Sequence, residues 1–461
     1  MLTIMKKSHN GLDFAEKLIF AKTGKSLNNI QKAVLQQFWE EPKKTHEQFA
    51  KELEYSASYI QQTVAPQLWR LLSEILGQKV SKNNFRSIVE RQWLNQVLNK
   101  SDNPIEASRQ KLIDLEFPEG RVSLSSSFYI ERVPHETRCY AEIVKPGAFI
   151  HIQAPRQMGK TSLMARIIAH TKRLDYQTVS LNLQRADQTI VANLDKLLRW
   201  FTYEVSYKLQ LQPNLDEYWY EDLGSKTSCT NYFQDYLLTE IDSPIVLAID
   251  EINEIFQYPQ IARDFLSLLR SWHEEAKDNP IWQKLRLVLV NSTEAYASLN
   301  IHEFPFQVGI QIQLHSFTWG QIQDLAHRYR LNLSMGDLAQ LTWLVAGHPY
   351  LLRVALYHLE QKNLTLEELL QTAASDTGIY SGHLHQKLWY LQKYPELATA
   401  FEKVLGAKAP VELEQVHAFK LHSIGLVNMQ DKLAMISCDL YQQYFSAHFL
   451  SESSKKPHSA G

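Results

Sequence analysis

The spacing of apolar residues changes period along this chain, and each change marks a stretch of different architecture. In residues 11–100 the period is helical. Leu12, Phe14, Ala15, Leu18 and Ile19 recur on one face, and Gly24 stands where a helix C-cap belongs. The next helix is predicted over Asn28 to Trp39. Thr45-x-x-Gln48 reads as a capping box opening a short helix to Leu53. A tight turn at Glu54-Tyr55-Ser56 leads into a helix from Ser58 through Gln62. Short helix, turn, second helix is the helix-turn-helix pattern. Pro66 either opens the next helix or kinks this one.

The period then shifts. Residues 101–127 lack a sustained pattern and carry Asp102-Asn103-Pro104, Pro118-Glu119-Gly120 and serines 125 to 127, the composition of a linker. Between 128 and 318 short apolar runs alternate with helical stretches. Strands are predicted at Ala148 to Gln153, Thr178 to Leu183, Ile245 to Ile249, Leu285 to Asn291 and Gly309 to Leu314. That alternation predicts α/β architecture with a mostly parallel sheet. Helices dominate from Trp319 to about Leu405. A helix over Glu412 to Ser423, a turn at Gly425, strands at Leu426 to Met429 and Leu433 to Ser437, and a last helix form a winged-helix pattern.

The expected fold is therefore multidomain α/β. Residues 1–100 form an all-α helix-turn-helix domain and 101–127 a linker. Residues 128–318, in which Gly159-Lys160-Thr161 follows an apolar strand and opens a helix, form a P-loop NTPase core with a parallel sheet, 319–382 a helical lid, 383–450 a winged-helix-like domain and 451–461 a disordered tail. Composition refines this only slightly. The 461 residues carry a formal net charge of −2, so the whole chain makes no case for nucleic acid. Residues 1–100 hold 15 Lys and Arg against 9 Asp and Glu, a local basic excess. Cys139, Cys229 and Cys438 are odd in number and far apart, which argues against a disulfide framework or zinc site and for a reducing cytoplasm. The most apolar runs are strand-length, and no membrane association is expected.

The chemistry centres on Ala154-Pro155-Arg156-Gln157-Met158-Gly159-Lys160-Thr161-Ser162, which follows an apolar strand and opens a helix. A loop so placed turns backbone N–H groups and the helix dipole toward phosphate oxygens. Gly159 permits close approach, Lys160 adds a charge for the β- and γ-phosphates, and Thr161 offers a hydroxyl to Mg²⁺. Gly24-Lys25-Ser26 repeats the triplet after a helix rather than a strand, and reads as a cap. Ala154 replaces the first glycine of the usual pattern, a substitution the loop is expected to tolerate.

Ninety residues on, the apolar run Ile245-Val246-Leu247-Ala248-Ile249 ends in Asp250-Glu251. Carboxylates at the C-terminal edge of a buried strand lie where ligands bind in such sheets. Asp250 is expected to hold Mg²⁺ and Glu251 to polarise the attacking water. The pair of motifs predicts ATP and Mg²⁺ as ligands. Asn291, Ser292 and Thr293 end a further strand and are candidate γ-phosphate sensors.

APRQMGKTSL, VLAIDEI and the later Gly347-His348-Pro349-Tyr350-Leu351-Leu352 resemble STAND-type ATPases. Among them the chain is most similar to the cyanobacterial AAA-like family whose N-terminal helix-turn-helix is named for association with vWA and MoxR proteins. LIFAKTGKSLNNIQKAVL and the stretch from SYIQQTVAPQ to SIVE carry the N-terminal part of the resemblance. FYIERVPHETRCYAEI looks like the box that packs on the adenine, through Tyr129, Ile130 and Arg132. The resemblance implies an extra strand between P-loop and acidic strand, Glu251 as catalytic glutamate, Pro349 against the base and His348 near the phosphates. It also implies a nucleotide-controlled switch, with protein partners and a nucleotide-dependent homo-oligomer. A DNA-binding regulator is the competing expectation. It is disfavoured because SASYIQQTVAPQ has no Lys or Arg for base and phosphate contacts.

Overall fold

The computed structural model describes residues 18–19, 27–40, 56–76, 80–82, 84–85, 88–89, 115–298 and 307–450. The chain divides into two compact units, Met1–Leu115 and Glu116–Gly461. The capping box at Thr45, the Gly24-Lys25-Ser26 triplet, residues 101–114 of the expected linker and the tail lie outside the described residues.

In the first unit the helix Asn29–Glu40 falls where the pattern predicts it. Its buried residues Val34, Leu35, Phe38 and Trp39 make one stripe, which meets Ile60, Val64, Leu68 and Leu72 in a shared core. Those four are spaced every fourth residue because the second helix is continuous from Ala57 to Leu76. Ser56 caps it by accepting the Tyr59 N–H at 3.2 Å. Pro66 neither starts nor breaks this run. The turn before it widens to a π-helix over Ile60–Val64, and the Ala65 N–H reaches back to Ile60 O. A proline ring and its missing donor are absorbed by such a widened turn.

The second unit is built on a five-stranded sheet: β1 (Phe149–Ala154), β2 (Gln177–Asn182), β3 (Ile245–Asp250), β4 (Leu285–Ser292) and β5 (Ile310–Gln313). Their order is β2-β3-β4-β1-β5, and every pairing is parallel. Alternate residues of the strands enter separate cores. Phe149, Leu247 and Leu287 pack with the helix Leu194–Lys208 on one face, and Ile150, Ile152, Val246, Ala248 and Val288 pack with the helix Lys160–Lys172 on the other. Burial on both faces explains why the central strand β3 reads as an unbroken apolar run from Ile245 to Ile249. As expected, a strand (β4) stands between the P-loop strand β1 and the acidic strand β3.

Three helices, Trp319–Arg328, Met335–Val345 and Pro349–Glu360, follow the sheet. The first two open on capping boxes, Thr318 with Gln321 and Ser334 with Asp337. Two more, Ser381–Lys393 and Pro395–Leu405, lead to a three-stranded sheet of β6 (Val411–Glu412), β7 (Val427–Gln430) and β8 (Leu433–Ile436), ordered β6-β8-β7. The helix Gln415–Ser423 precedes the β7–β8 hairpin, and Asp439–Phe445 follows it, the element order expected there. No helix among the described residues is long and apolar enough to cross a membrane.

Candidate functional site

The C-terminal ends of β1 and β3 are separated by β4, and the loop that follows β1 and the acidic end of β3 line one cavity of about 370 Å³. Arg156, Gln157, Gly159, Lys160, Thr161 and Ser162 line one wall, with Asp250 and Glu251 facing them. Ala154 sits inside β1 without a positive φ, paired with Ser292, so a methyl group is unstrained there. The left-handed positions of the loop are instead Gln157 (φ 62°) and Gly159 (φ 91°). A Cβ on Gly159 would approach Arg132 Nη2 to 3.0 Å, so the guanidinium holds the loop where only glycine fits freely.

Lys160 begins the helix and is 7% exposed. Its Nζ donates to Pro155 O at 2.8 Å. Burial pulls the ammonium down to about 8, while Glu251, Glu294 and Asp250 pull the other way. Thr161 Oγ1 donates to Asp250 Oδ2 at 2.8 Å. Burial raises the Asp250 carboxyl above its ordinary range, and the Thr161 bond works against that rise. Asp250 Oδ1 accepts the Glu251 N–H at 2.9 Å. Glu251 itself is left-handed (φ 53°), a costly conformation for a residue with a Cβ, of the kind that concentrates at functional sites.

Arg132 ties the other wall together. It is buried, donates from Nη2 to Met158 O in the loop and stacks on Phe317 at 5.0 Å. Its N–H donates to Glu136, whose second oxygen accepts from Tyr129 OH at 2.6 Å. Phe128, Tyr129, Ile130, Pro349, Tyr350 and Arg353 complete this end, which is mostly apolar and flat-ringed. Ser162 Oγ accepts the Val122 N–H at 3.0 Å and so pins the strap of residues 118–122 over the loop.

Not every expected site residue meets here. Asn291 is fully buried and points into the sheet region, bonding His151 at 2.6 Å and Tyr296 OH at 3.0 Å. Thr293 Oγ1 donates to Ser423 O at 2.7 Å, and the Ser292 N–H donates to Asn253 Oδ1 at 3.1 Å. None of the three lines the cavity that holds Lys160. His348 lines a neighbouring cavity of about 530 Å³ behind the P-loop, 5.4 Å from His383. Burial, with Lys387, Arg132 and Lys160 adding their charge, pulls its imidazole down to about 3.

Other participants escaped sequence reasoning. Gln157 Oε1 meets His383 Nδ1 at 2.6 Å, and Gly425 packs on the Pro155 ring, where a Cβ would come to 3.4 Å. Glu294 accepts from Arg156 N–H at 3.3 Å and from Lys387 Nζ at 2.6 Å. Thus the Ser381–Lys393 helix and the turn before β7 reach the P-loop, directly through His383 and Gly425 and by way of Glu294 from Lys387. Long sequence separation leaves no local pattern that announces such pairs.

A parallel sheet ordered β2-β3-β4-β1-β5, with a glycine-lysine-threonine loop after β1 and Asp-Glu after β3, defines a P-loop ATPase fold. A family model described as "AAA-like domain" matches residues 117–447, and one described as "vWA-MoxR associated protein N-terminal HTH" matches residues 6–92. The chain belongs to the AAA-like domain family and carries that N-terminal helix-turn-helix domain. An uncharacterised WD repeat-containing protein of Synechocystis is 26% identical over 181 residues, 38% of this chain and 15% of the relative. The chain thus matches only about 15% of that relative's length. The fold is similar to that of a Walker-type ATPase of Pyrococcus abyssi, with a TM-score of 0.50 and 13% identity over 72% of this chain and 99% of the other.

Proposed function

We propose that this protein is a nucleotide-controlled switch of the STAND type, which binds Mg·ATP in the 370 Å³ cavity and hydrolyses it slowly. The reading rests above all on the joining of Thr161, beside the buried Lys160, to Asp250 across an intervening strand. These residues fit the ligand. Gly159 leaves room a Cβ would fill, and the first N–H groups of a helix have no carbonyl of their own to bond. No group of three or more His, Cys, Asp or Glu among the described residues forms a metal cage. A hydroxyl and one carboxylate suit Mg²⁺, which keeps waters and leans on substrate phosphates.

Mg·ATP supplies the transferable γ-phosphoryl group and an ion that neutralises charge developing on its oxygens. Lys160 holds its proton and offsets phosphate charge. Thr161 and Asp250 orient the ion, with Asp250 keeping its carboxylate ionised against burial. Glu251 accepts a hydrogen bond from the attacking water and draws off its proton. Ile130, Tyr129 and Pro349 form the base pocket, with Arg132 bracing Met158 behind it. The grip of His383 and Gly425 on the loop, and of Lys387 through Glu294, supports a switch, because nucleotide entering the loop must accommodate those contacts.

The working organisation is a helix-turn-helix domain over 1–100, a linker to 127, a core to 318, a lid to 382 and a winged-helix-like domain to 450. Output goes to protein partners in the cytoplasm, with self-assembly in the ATP form. The segment SASYIQQTVAPQ that opens the second helix of the N-terminal domain holds no Lys or Arg, which favours protein over DNA; Arg70, exposed further along the same helix, is the one basic residue between Ala57 and Leu76. A pull-down with wild type and Glu251→Gln, each with ATP and with ADP, tests this. Partners retained in only one nucleotide state support the switch. Identical partners in all four samples contradict it, and salt-sensitive retention on duplex DNA instead would move the output to DNA.

A further inference from the structure

Two hydrogen bonds tie the Asn253 amide between the ends of β3 and β4. Its Nδ2 donates to Glu251 Oε2 at 3.1 Å, and its Oδ1 accepts the Ser292 N–H at 3.1 Å. The amide thus spans from the carboxylate after β3 to the last residue of β4. Both ends need holding. Glu251 is left-handed at φ 53° and opens a 3₁₀ turn, Ile252–Gln257, whose own backbone bonds do not fix its side chain. Ser292 is followed by Thr293, bonded to Ser423 O, and by Glu294, bonded to Lys387 Nζ and to the Arg156 N–H. Three successive residues of one strand end therefore touch the Glu251 support, the hairpin domain and the P-loop in turn.

We propose that Asn253 is a positioning residue, which aims the Glu251 carboxylate and registers it against a strand end that the C-terminal helices hold through Thr293 and Glu294. The proposal rests on the reading of Glu251 as the base for hydrolysis. A donor amide can do what no carboxylate or alkyl group at this position can. Its N–H₂ fixes one Glu251 oxygen and leaves the other to accept, while its carbonyl secures the neighbouring strand. Any shift of residues 292–294 moves Asn253 and changes where the Glu251 oxygen points. The release of the C-terminal grip is thereby coupled to hydrolysis through one side chain. This physical link is a two-bond relay, whose coupling energy a double-mutant cycle measures.

Asn253→Asp separates the two bonds, because it keeps the acceptor for the Ser292 N–H and replaces the donor to Glu251 with an oxygen. Asn253→Ala removes both. Amide exchange in the nucleotide-free protein reads the strand bond: Ser292 stays protected in Asn253→Asp and loses protection in Asn253→Ala. Calorimetric Mg·ATP affinity stays within about twofold of wild type in Asn253→Asp, while single-turnover hydrolysis falls by about tenfold or more in both variants. Thr293→Val alters wild-type turnover but leaves the turnover of Asn253→Asp unchanged. Wild-type turnover in Asn253→Asp would reduce Asn253 to a structural tie and overturn the proposal, as would strictly multiplicative effects in the double variant. Lack of Mg·ATP binding by wild type would be a separate failure, that of the nucleotide reading itself.

Discussion

Thr161 and Asp250 lie 89 residues apart in sequence, yet Thr161 Oγ1 donates to Asp250 Oδ2 at 2.8 Å across the end of β4. The bond holds both oxygens where one small hard cation can take them together. Thr161→Val keeps the shape and deletes the hydroxyl. ATP should still bind this variant, but the gain in affinity that Mg²⁺ gives should shrink by about tenfold, equivalent to ~1.4 kcal/mol. Titrations of ATP with Mg²⁺ and with EDTA check this, and an undiminished Mg²⁺ effect removes Thr161 from the metal site.

Lys160 sets a pH dependence. Its folded value of about 8 lies below the 10.5 of a free lysine, so the unfolded chain binds more protons between those limits. Stability of the nucleotide-free protein therefore rises with pH across that window, and the charged, buried form weakens the fold below it. Binding shows the opposite trend, because polyphosphate requires the ammonium. Mg·ATP affinity should be flat below pH 8 and fall toward about tenfold per unit above it, with proton uptake on binding. Calorimetry at pH 7, 8 and 9 in buffers of different ionisation enthalpy reads both effects.

Lys387 and Glu294 form an ion pair at 2.6 Å with both side chains nearly inaccessible, at 3% and 1%. Lys387 Nζ also donates to Ile424 O, which locks the Ser381–Lys393 helix to the turn before β7. Removing one member leaves a buried charge short of a partner. Lys387→Met should cost about 3–5 kcal/mol in urea unfolding. Lys387→Met with Glu294→Gln should recover most of that loss, and a single variant as stable as wild type would show that water reaches the pair.

Much of the core was legible from periodicity. The strands that enter both cores are dominated by apolar residues, interrupted by His151 and Gln153 in β1 and by Arg286 in β4, so β1, β3 and β4 were found to within about a residue at each end. Lys160, Thr161, Asp250 and Glu251 were legible because strand, loop and helix chemistry must occur in that order along the chain. The surroundings were not. Asn291 stands at the expected strand end, but side chains alternate along a strand and its amide faces His151 and Tyr296 instead of the cavity. Asn253 and Lys387 act through partners 39 and 93 residues away, for which spacing gives no signal. The continuous helix through Pro66 was hidden because a π turn is written in geometry and not in composition.

The buried Lys160 is the residue on which phosphate binding, and with it the nucleotide switch, turns. Isothermal calorimetry of Mg·ATP with wild type and with Lys160→Ala, at pH 7 and on folded protein confirmed by circular dichroism, addresses that role most directly. Wild type should bind one nucleotide per chain, and Lys160→Ala should lose about a hundredfold or more in affinity, ~2.7 kcal/mol. Equal affinity in the two proteins would contradict the nucleotide site and the switch built on it.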